Sequence, residues 1–220
     1  MAGSIRTTCL CLSMLLATGA CGASELQAFV KDQDGKPVID AVVLATPGDG
    51  ASLPRAKPKD EIIDQIDKEF VPHVKPVLVG SLVHFPNKDN IRHHVYSFSP
   101  ARKFELPLYS GRTAAPVLFD KPGVVILGCN IHDWMLGYIY VSNTPFFAKT
   151  GAAGKASISD LPAGEYSVRV WHPRMEGAEE KTSRSVALAA GGSAGVEWQV
   201  TLKPELRIPR ASIGHGSSYH

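Results

Sequence analysis

Short apolar runs separated by turn residues make up most of the chain. Residues 166–171 and 196–202 alternate between apolar and polar side chains, which predicts half-buried β-strands. Residues 124–127 are continuously apolar over a strand's length, which predicts a strand buried in a sandwich core. Pro107 interrupts the alternating run 104–109, and a proline in a strand favours the edge of a sheet. The pattern therefore predicts an all-β protein.

Polar stretches divide these runs. Two β-rich runs flank Asp34 and Gly35, a pair that predicts a tight turn. Residues 46–61 are rich in Pro, Gly, Lys and Asp and have no period, so they are expected to form a loop or linker. Three isoleucines within residues 60–69 are compatible with one or two helical turns.

The composition agrees with a folded protein that has a proper core. Of 220 residues, 44% are apolar and 20% charged, which is normal for a globular chain. The formal net charge of +2 does not indicate nucleic-acid binding. The sequence shows no paired carboxylates and no Ser-His-Asp set, so we predict that the protein is not an enzyme.

Residues 1–23 are predicted to be a secretory signal rather than part of the fold. Arg6 precedes a short apolar run, and small residues follow up to Ala23, where cleavage is expected. The run is too short to span a bilayer, so the mature chain is expected to lack a transmembrane span and to lie in the periplasm. A lipid anchor on Cys21 is the alternative, although Thr18 occupies the position where that signal normally has Leu.

Cleavage at this point leaves Cys129 as the single cysteine of the mature chain. A lone thiol in an oxidising compartment has no internal disulfide partner and is a candidate reactive or metal-binding group. His132 and Met135 follow at the spacing Cys-x-x-His-x-x-Met, which lets a tight loop turn a thiolate, an imidazole and a thioether to one point.

That set of ligands predicts copper. Two imidazoles and one thiolate with a weak axial thioether form a blue-copper electron-transfer site. The loop supplies one imidazole, so a second must come from elsewhere. The upstream stretch 87–95 offers His93 and His94.

The segment from about residue 70 to 141 resembles the cupredoxins of the amicyanin and plastocyanin type. The resemblance rests on the Cys-x-x-His-x-x-Met loop and on Asn87, which lies six residues before His93, as in that family. It implies a Greek-key sandwich with one type 1 copper site. The implied ligands are His93, which we favour over His94, together with Cys129, His132 and Met135.

Roles are also expected for residues around the ligands. By the same resemblance, Asn87 would tie the first ligand loop to the cysteine loop by hydrogen bonds, and His94 is expected to lie in the shell around the metal. Trp134 and Leu136 would form an apolar surface on which a redox partner, a dehydrogenase or a cytochrome, docks beside His132. These partners would exchange single electrons through the exposed edge of that imidazole.

Two further resemblances concern the wider chain. The stretches 70–73, 93–99 and 128–135 are similar to periplasmic proteins labelled methylamine utilization proteins. Residues 30–43 and 154–168 resemble the two ends of a carboxypeptidase-regulatory-like, carbohydrate-binding-like β-sandwich. About a hundred residues that carry the copper motif separate these ends.

We therefore expect a cupredoxin domain inserted into a second, smaller β-sandwich. The expected boundaries are 1–23 for the signal peptide, 24–55 and 146–203 for the two parts of the outer sandwich, 56–145 for the cupredoxin domain, and 204–220 for a flexible tail. The expected function is periplasmic electron transfer by one type 1 copper. The alternatives are a copper delivery or storage protein, and a carbohydrate- or protein-binding module with a non-redox metal site.

Overall fold

The computed structural model describes residues 24–48, 56–111 and 115–205. These residues form 17 β-strands and one short 3-10 helix at Glu179–Thr182, which confirms the all-β prediction. The predicted signal peptide at 1–23 and most of the predicted tail lie outside the described residues. Within the described part, no helix is long and apolar enough to cross a bilayer.

The strands fall into three consecutive groups along the chain. The first group is β1 (Ser24–Lys31) and β2 (Val42–Pro47). The second is β3 (Asp60–Ile62), β4 (Asp64–Ile66), β5 (Glu69–Val71), β6 (Val74–Leu78), β7 (Ser81–His84), β8 (His93–Ser99), β9 (Arg102–Tyr109), β10 (Val117–Phe119), β11 (Gly123–Gly128) and β12 (Leu136–Ser142). The third is β13 (Phe147–Lys149), β14 (Lys155–Leu161), β15 (Gly164–Trp171), β16 (Arg184–Leu188) and β17 (Ser193–Gln199).

Strands of the first and third groups pair with each other. They form a three-stranded sheet in the order β14-β1-β17 and a four-stranded sheet in the order β13-β2-β15-β16. Alternate side chains of these strands fill one apolar cluster that includes Leu26, Val168 and Trp198. The predicted turn follows β1, and Gly35 takes the positive φ of 77° that this turn needs.

Strands of the second group pair only among themselves within the described chain. They form a five-stranded sheet in the order β6-β12-β11-β8-β9, a three-stranded sheet in the order β10-β7-β3, and the hairpin β4-β5. Strand β9 lies at the edge of its sheet, as its proline predicted. Residues 60–69, which were compatible with one or two helical turns, are instead divided among β3, β4 and β5.

A second apolar cluster fills the interior of this group. Val125 and Leu127 of β11 are fully buried in it together with Cys129 and Met135. The prediction that the run 124–127 forms a strand buried in a sandwich core is only partly right, because Ile126 is 47% exposed.

A third, smaller cluster packs the two sets of sheets against each other. It joins Val42 and Leu44 of β2 with Val74 of β6 and Tyr140 of β12. The Tyr140 hydroxyl shares its one proton between the two carboxylate oxygens of Glu179, which lie at 2.9 and 2.8 Å. The five-stranded sheet is therefore supported from both sides, with its second cluster on one face and these contacts on the other.

Candidate metal centre

Strand β11 carries the chain directly to Cys129. Its last residue, Gly128, pairs with Tyr96 of β8, and the Tyr96 ring lies so close that a Cβ on Gly128 would be 2.7 Å from its Cζ atom. The strand therefore ends where a side chain cannot be accommodated without moving that ring. Cys129 follows with its side chain turned inward, and the residue is only 4% exposed.

A tight turn then brings His132 and Met135 back to the thiol. The Met135 backbone N–H donates to the His132 carbonyl at 2.9 Å, so the loop closes on itself before β12 begins. The Nδ1 atom of His132 lies 3.9 Å from the Cys129 sulfur. Met135 is 1% exposed and belongs to the same apolar cluster as Cys129. Its proposed role as an axial ligand stays a prediction.

His93 completes the group from a distant part of the chain. It is the first residue of β8 and is fully buried, and its Nδ1 atom lies 4.0 Å from the Cys129 sulfur. The candidate ligand atoms of His93, Cys129 and His132 all lie within 4.8 Å of one another. The structure thus brings together the two imidazoles and the thiol that the sequence singled out.

These separations fit a single metal ion. In a trigonal site, bonds of about 2.3 Å to sulfur and about 2.0 Å to imidazole nitrogen put sulfur and nitrogen about 3.7 Å apart. The two observed sulfur–nitrogen distances are 3.9 and 4.0 Å. The three donor atoms are therefore close enough for one ion to be bound by all of them once the side chains move slightly inward.

His94 points elsewhere, because successive side chains of a strand alternate between its faces. Its Nε2 atom is 2.8 Å from Glu105 Oε1, and its ring centroid lies 5.5 Å from that of Tyr96 with the two rings tilted by 37°. The structure therefore brings His93, the favoured candidate, to the thiol, and leaves His94 outside the cluster.

Asn87 is buried and orders the loop before β8. Its amide donates to the carbonyls of Ile91 and Tyr109, at 2.8 and 2.9 Å, and its Oδ1 accepts the Asp89 backbone N–H. These bonds tie the His93 loop to itself and to the end of β9. They do not reach the Cys129 loop, contrary to what the family resemblance implied.

Asp89 is a functional candidate that sequence reasoning missed. Its Oδ2 atom is 2.7 Å from His93 Nε2, the ring nitrogen that faces away from the thiol. Burial raises the pKa of this carboxyl, but the backbone N–H groups of Lys68 and Asp67 and the bond with His93 outweigh burial and leave the pKa below its ordinary value. The spacing Asp-x-x-x-His was visible in the sequence, but nothing there showed that the two side chains meet.

The remaining imidazole lies closer to the surface. His132 is partly exposed, whereas His93 is fully buried. Burial lowers the pKa of His132, and the positive charges of His93 and Lys68 lower it further. A depressed pKa keeps the ring neutral near pH 7, which is the form that binds a metal.

Apolar residues close to His132 in the sequence lie partly at the surface. The Trp134 ring lies 5.2 Å from the His132 ring, centroid to centroid, and Leu136 is 40% exposed. Ile131, which the sequence prediction did not include, is 46% exposed. Of the predicted docking residues, Trp134 therefore lies in the loop beside the more accessible imidazole, and Leu136 presents apolar surface at the start of β12.

No protein-family model matches the chain, and no curated protein matches it either. Solved structures similar to part of the chain include a copper-containing nitrite reductase from Thermus scotoductus SA-01, with 26% identity and a TM-score of 0.36 over 44% of this chain and 25% of that one. A purple cupredoxin from Nitrosopumilus maritimus matches with 25% identity and a TM-score of 0.32 over 37% of this chain and 96% of that one. An oxidised amicyanin variant matches with 18% identity and a TM-score of 0.35 over 44% and 98%. The chain thus spans only a quarter of the nitrite reductase.

Proposed function

We propose that the protein is a type 1 copper protein that carries single electrons between redox partners and has no catalysis of its own. The observation that supports this most directly is the convergence of one thiol and two imidazoles from segments 36 residues apart, inside an apolar cluster. Copper bound there would supply a one-electron couple between its cuprous and cupric states.

The donor set favours copper over zinc. Structural zinc sites are closed by four strong ligands of the cysteine and histidine type, whereas His93, Cys129 and His132 supply three. The proposed fourth ligand, Met135, is a thioether, and a weak axial thioether is typical of blue-copper sites.

The protein's own residues would perform three tasks. His93 and Cys129 are held by buried strand ends, so the donor atoms need to move little when the charge of the ion changes. The apolar cluster around Cys129 and Met135 keeps water away from the sulfur. His132, which is partly exposed, offers the shortest path between the ion and a docked protein.

We also propose the setting of this activity. Residues 1–23 would direct export to the periplasm, where Cys129 would be protected from oxidation by the metal. The partner, a dehydrogenase or a cytochrome, would dock on the apolar surface formed by Ile131, Trp134 and Leu136. Transient redox complexes bury small interfaces, and such a surface is suited to one.

The domain boundaries given above are part of the proposal. Residues 56–145 would form the copper domain, and 24–55 with 146–203 would form the outer sandwich. The separate strand pairing of the two sets supports this division. The outer sandwich would hold the copper domain through the cluster around Tyr140.

One preparation tests the function. The mature chain is loaded with Cu(II), and its visible absorption and electron paramagnetic resonance spectra are recorded before and after reduction. An intense thiolate-to-copper band that bleaches and returns reversibly is expected, and Cys129→Ser should remove it. His94→Asn is the matched control and should keep it, because His94 lies outside the cluster. A colourless copper complex would refute the proposal, and rapid loss of copper to a chelator would favour delivery instead.

A further inference from the structure

The two ring nitrogens of His93 face different groups. Nδ1 faces the Cys129 sulfur at 4.0 Å, and Nε2 lies 2.7 Å from Asp89 Oδ2. His93 is fully buried, and the Asp89 side chain is only 12% exposed. The contact between the ring and the carboxylate is therefore largely shielded from water, which strengthens it.

The carboxylate is itself held in place by backbone groups. Asp89 Oδ1 accepts the Asp67 N–H at 2.7 Å, and Oδ2 accepts the Lys68 N–H at 2.9 Å. Asp67 and Lys68 form the turn of the β4-β5 hairpin, with φ values of 54° and 61°. Two consecutive left-handed residues are typical of a type I′ turn, and here both N–H groups of that turn point at one carboxylate.

The Asp89 backbone is anchored as well. Its N–H donates to Asn87 Oδ1 at 3.0 Å, and Asn87 in turn is bonded to the carbonyls of Ile91 and Tyr109. Asp89 is therefore oriented at both its side chain and its main chain, and its Oδ2 atom is presented to His93 by groups from three separate segments.

We propose that Asp89 is a positioning residue of the copper site. It would hold His93 with its proton on Nε2 and with Nδ1 free for the metal, and its negative charge would stabilise the cupric state more than the cuprous state. This inference rests on the proposed function.

The physical reason has two parts. A carboxylate that accepts the second N–H of a ligating imidazole fixes the ring and makes its other nitrogen a stronger donor. A full negative charge on the far side of the ring also interacts more favourably with a doubly charged ion than with a singly charged one, and this difference persists where water is excluded. A neutral acceptor at the same place would supply only the orientation.

The test compares Asp89→Asn with a matched control. Asp67→Asn removes one negative charge from the same neighbourhood, and asparagine tolerates the left-handed backbone at this position, but it leaves the Asp89 carboxylate on His93. Both variants and the unaltered chain are loaded with copper. Their reduction potentials and their affinities for Cu(II) and Cu(I) are then measured.

Asp89→Asn is expected to raise the reduction potential and to weaken Cu(II) binding about 10–100-fold, the usual effect of losing such a partner, with a smaller loss for Cu(I). A tenfold difference between the two states corresponds to a shift of about 59 mV for a one-electron couple. Asp67→Asn is expected to shift the potential far less. An unchanged potential in Asp89→Asn, or an equal shift in both variants, would overturn the inference.

A measurement on the unaltered chain keeps the inference testable if Asp89→Asn does not fold. Proton–nitrogen NMR of the reduced, diamagnetic copper protein should show a His93 Nε2 proton that exchanges slowly with water. A His93 ring without that proton would contradict the inference. If the unaltered chain shows no thiolate-to-copper band at all, the proposed function fails instead, so the two failures are distinguishable.

Discussion

Gly137, the second residue of β12, lies directly behind the metal-binding loop and is packed too tightly to carry a side chain. A Cβ atom placed there would lie 2.9 Å from the Cβ of Phe70, and 3.1 and 3.2 Å from its ring carbons Cδ2 and Cγ. Ordinary contacts of this kind begin at 3.4 Å. The Phe70 Cβ is attached to the backbone, so rotating the ring cannot relieve the contact.

We predict that Gly137→Ala destabilises the protein by about 1–3 kcal/mol, the usual cost of overpacking a buried site. Strands β5 and β12 would have to separate by roughly half an ångström in a close-packed interior. For a chain of this size, each kcal/mol lowers the melting temperature by about 2–4 °C. The displacement also acts two residues after Met135, so the copper site should become less well ordered.

Urea unfolding of the metal-free protein measures the loss of stability. The urea concentration at the midpoint of unfolding should fall, while the slope of the unfolding free energy against urea concentration stays constant, because the surface exposed on unfolding is the same. Gly195→Ala is the matched control, since a Cβ there meets nothing within 4 Å. It should leave stability unchanged or raise it slightly, because alanine restricts the unfolded chain. Equal midpoints for Gly137→Ala and the unaltered chain, or equal losses in both variants, would refute the reasoning.

Three further predictions concern pH, the contact between the sheets and the metal. Burial and then the charge of Arg174 lower the pKa of His172 from 6.5 to about 4. Because the unfolded chain binds this proton near pH 6.5, the contribution of neutral His172 to stability should be fully present above that pH and fall by on the order of 3 kcal/mol as pH drops towards 4. His172→Asn should flatten this part of the pH profile of unfolding, and an unchanged slope would contradict the assignment. Tyr140→Phe should cost about 1–3 kcal/mol, because it removes the hydrogen bond that Tyr140 shares between the two Glu179 oxygens and leaves only Arg169, at 3.7 Å, to pair with this partly buried carboxylate among the described residues. A loss below 0.5 kcal/mol, roughly the scatter expected for surface substitutions, would show that the contact is dispensable. Copper at 100 times its dissociation constant should stabilise the chain by about 2.7 kcal/mol, as measured by thermal unfolding, and this gain should be lost in Cys129→Ser.

Much of the fold could be predicted because its signals are local. Alternation of apolar and polar side chains marked β15 and β17, and Pro107 marked β9 as an edge strand. The hairpin β4-β5 was not predicted. Its turn residues are Asp67 and Lys68, whereas such turns usually contain glycine or asparagine, which are the residues from which a turn of this kind is predicted. Local pattern also could not show that Ile126 faces solvent, since a continuous apolar run does not reveal how its two faces are covered.

The sequence by itself determined that a thiol, an imidazole and a thioether lie within seven residues, because a short loop keeps such neighbours close in almost any fold. Only the tertiary structure decided which of two adjacent histidines joins them, since strand alternation turns His93 towards the thiol and His94, which is also buried, towards Glu105 on the other face. It also decided that Asp89 meets His93, because the turn that holds the carboxylate comes from a hairpin some twenty residues earlier. Chemistry within one loop can be inferred from spacing, whereas contacts between distant segments depend on how the sheets pack.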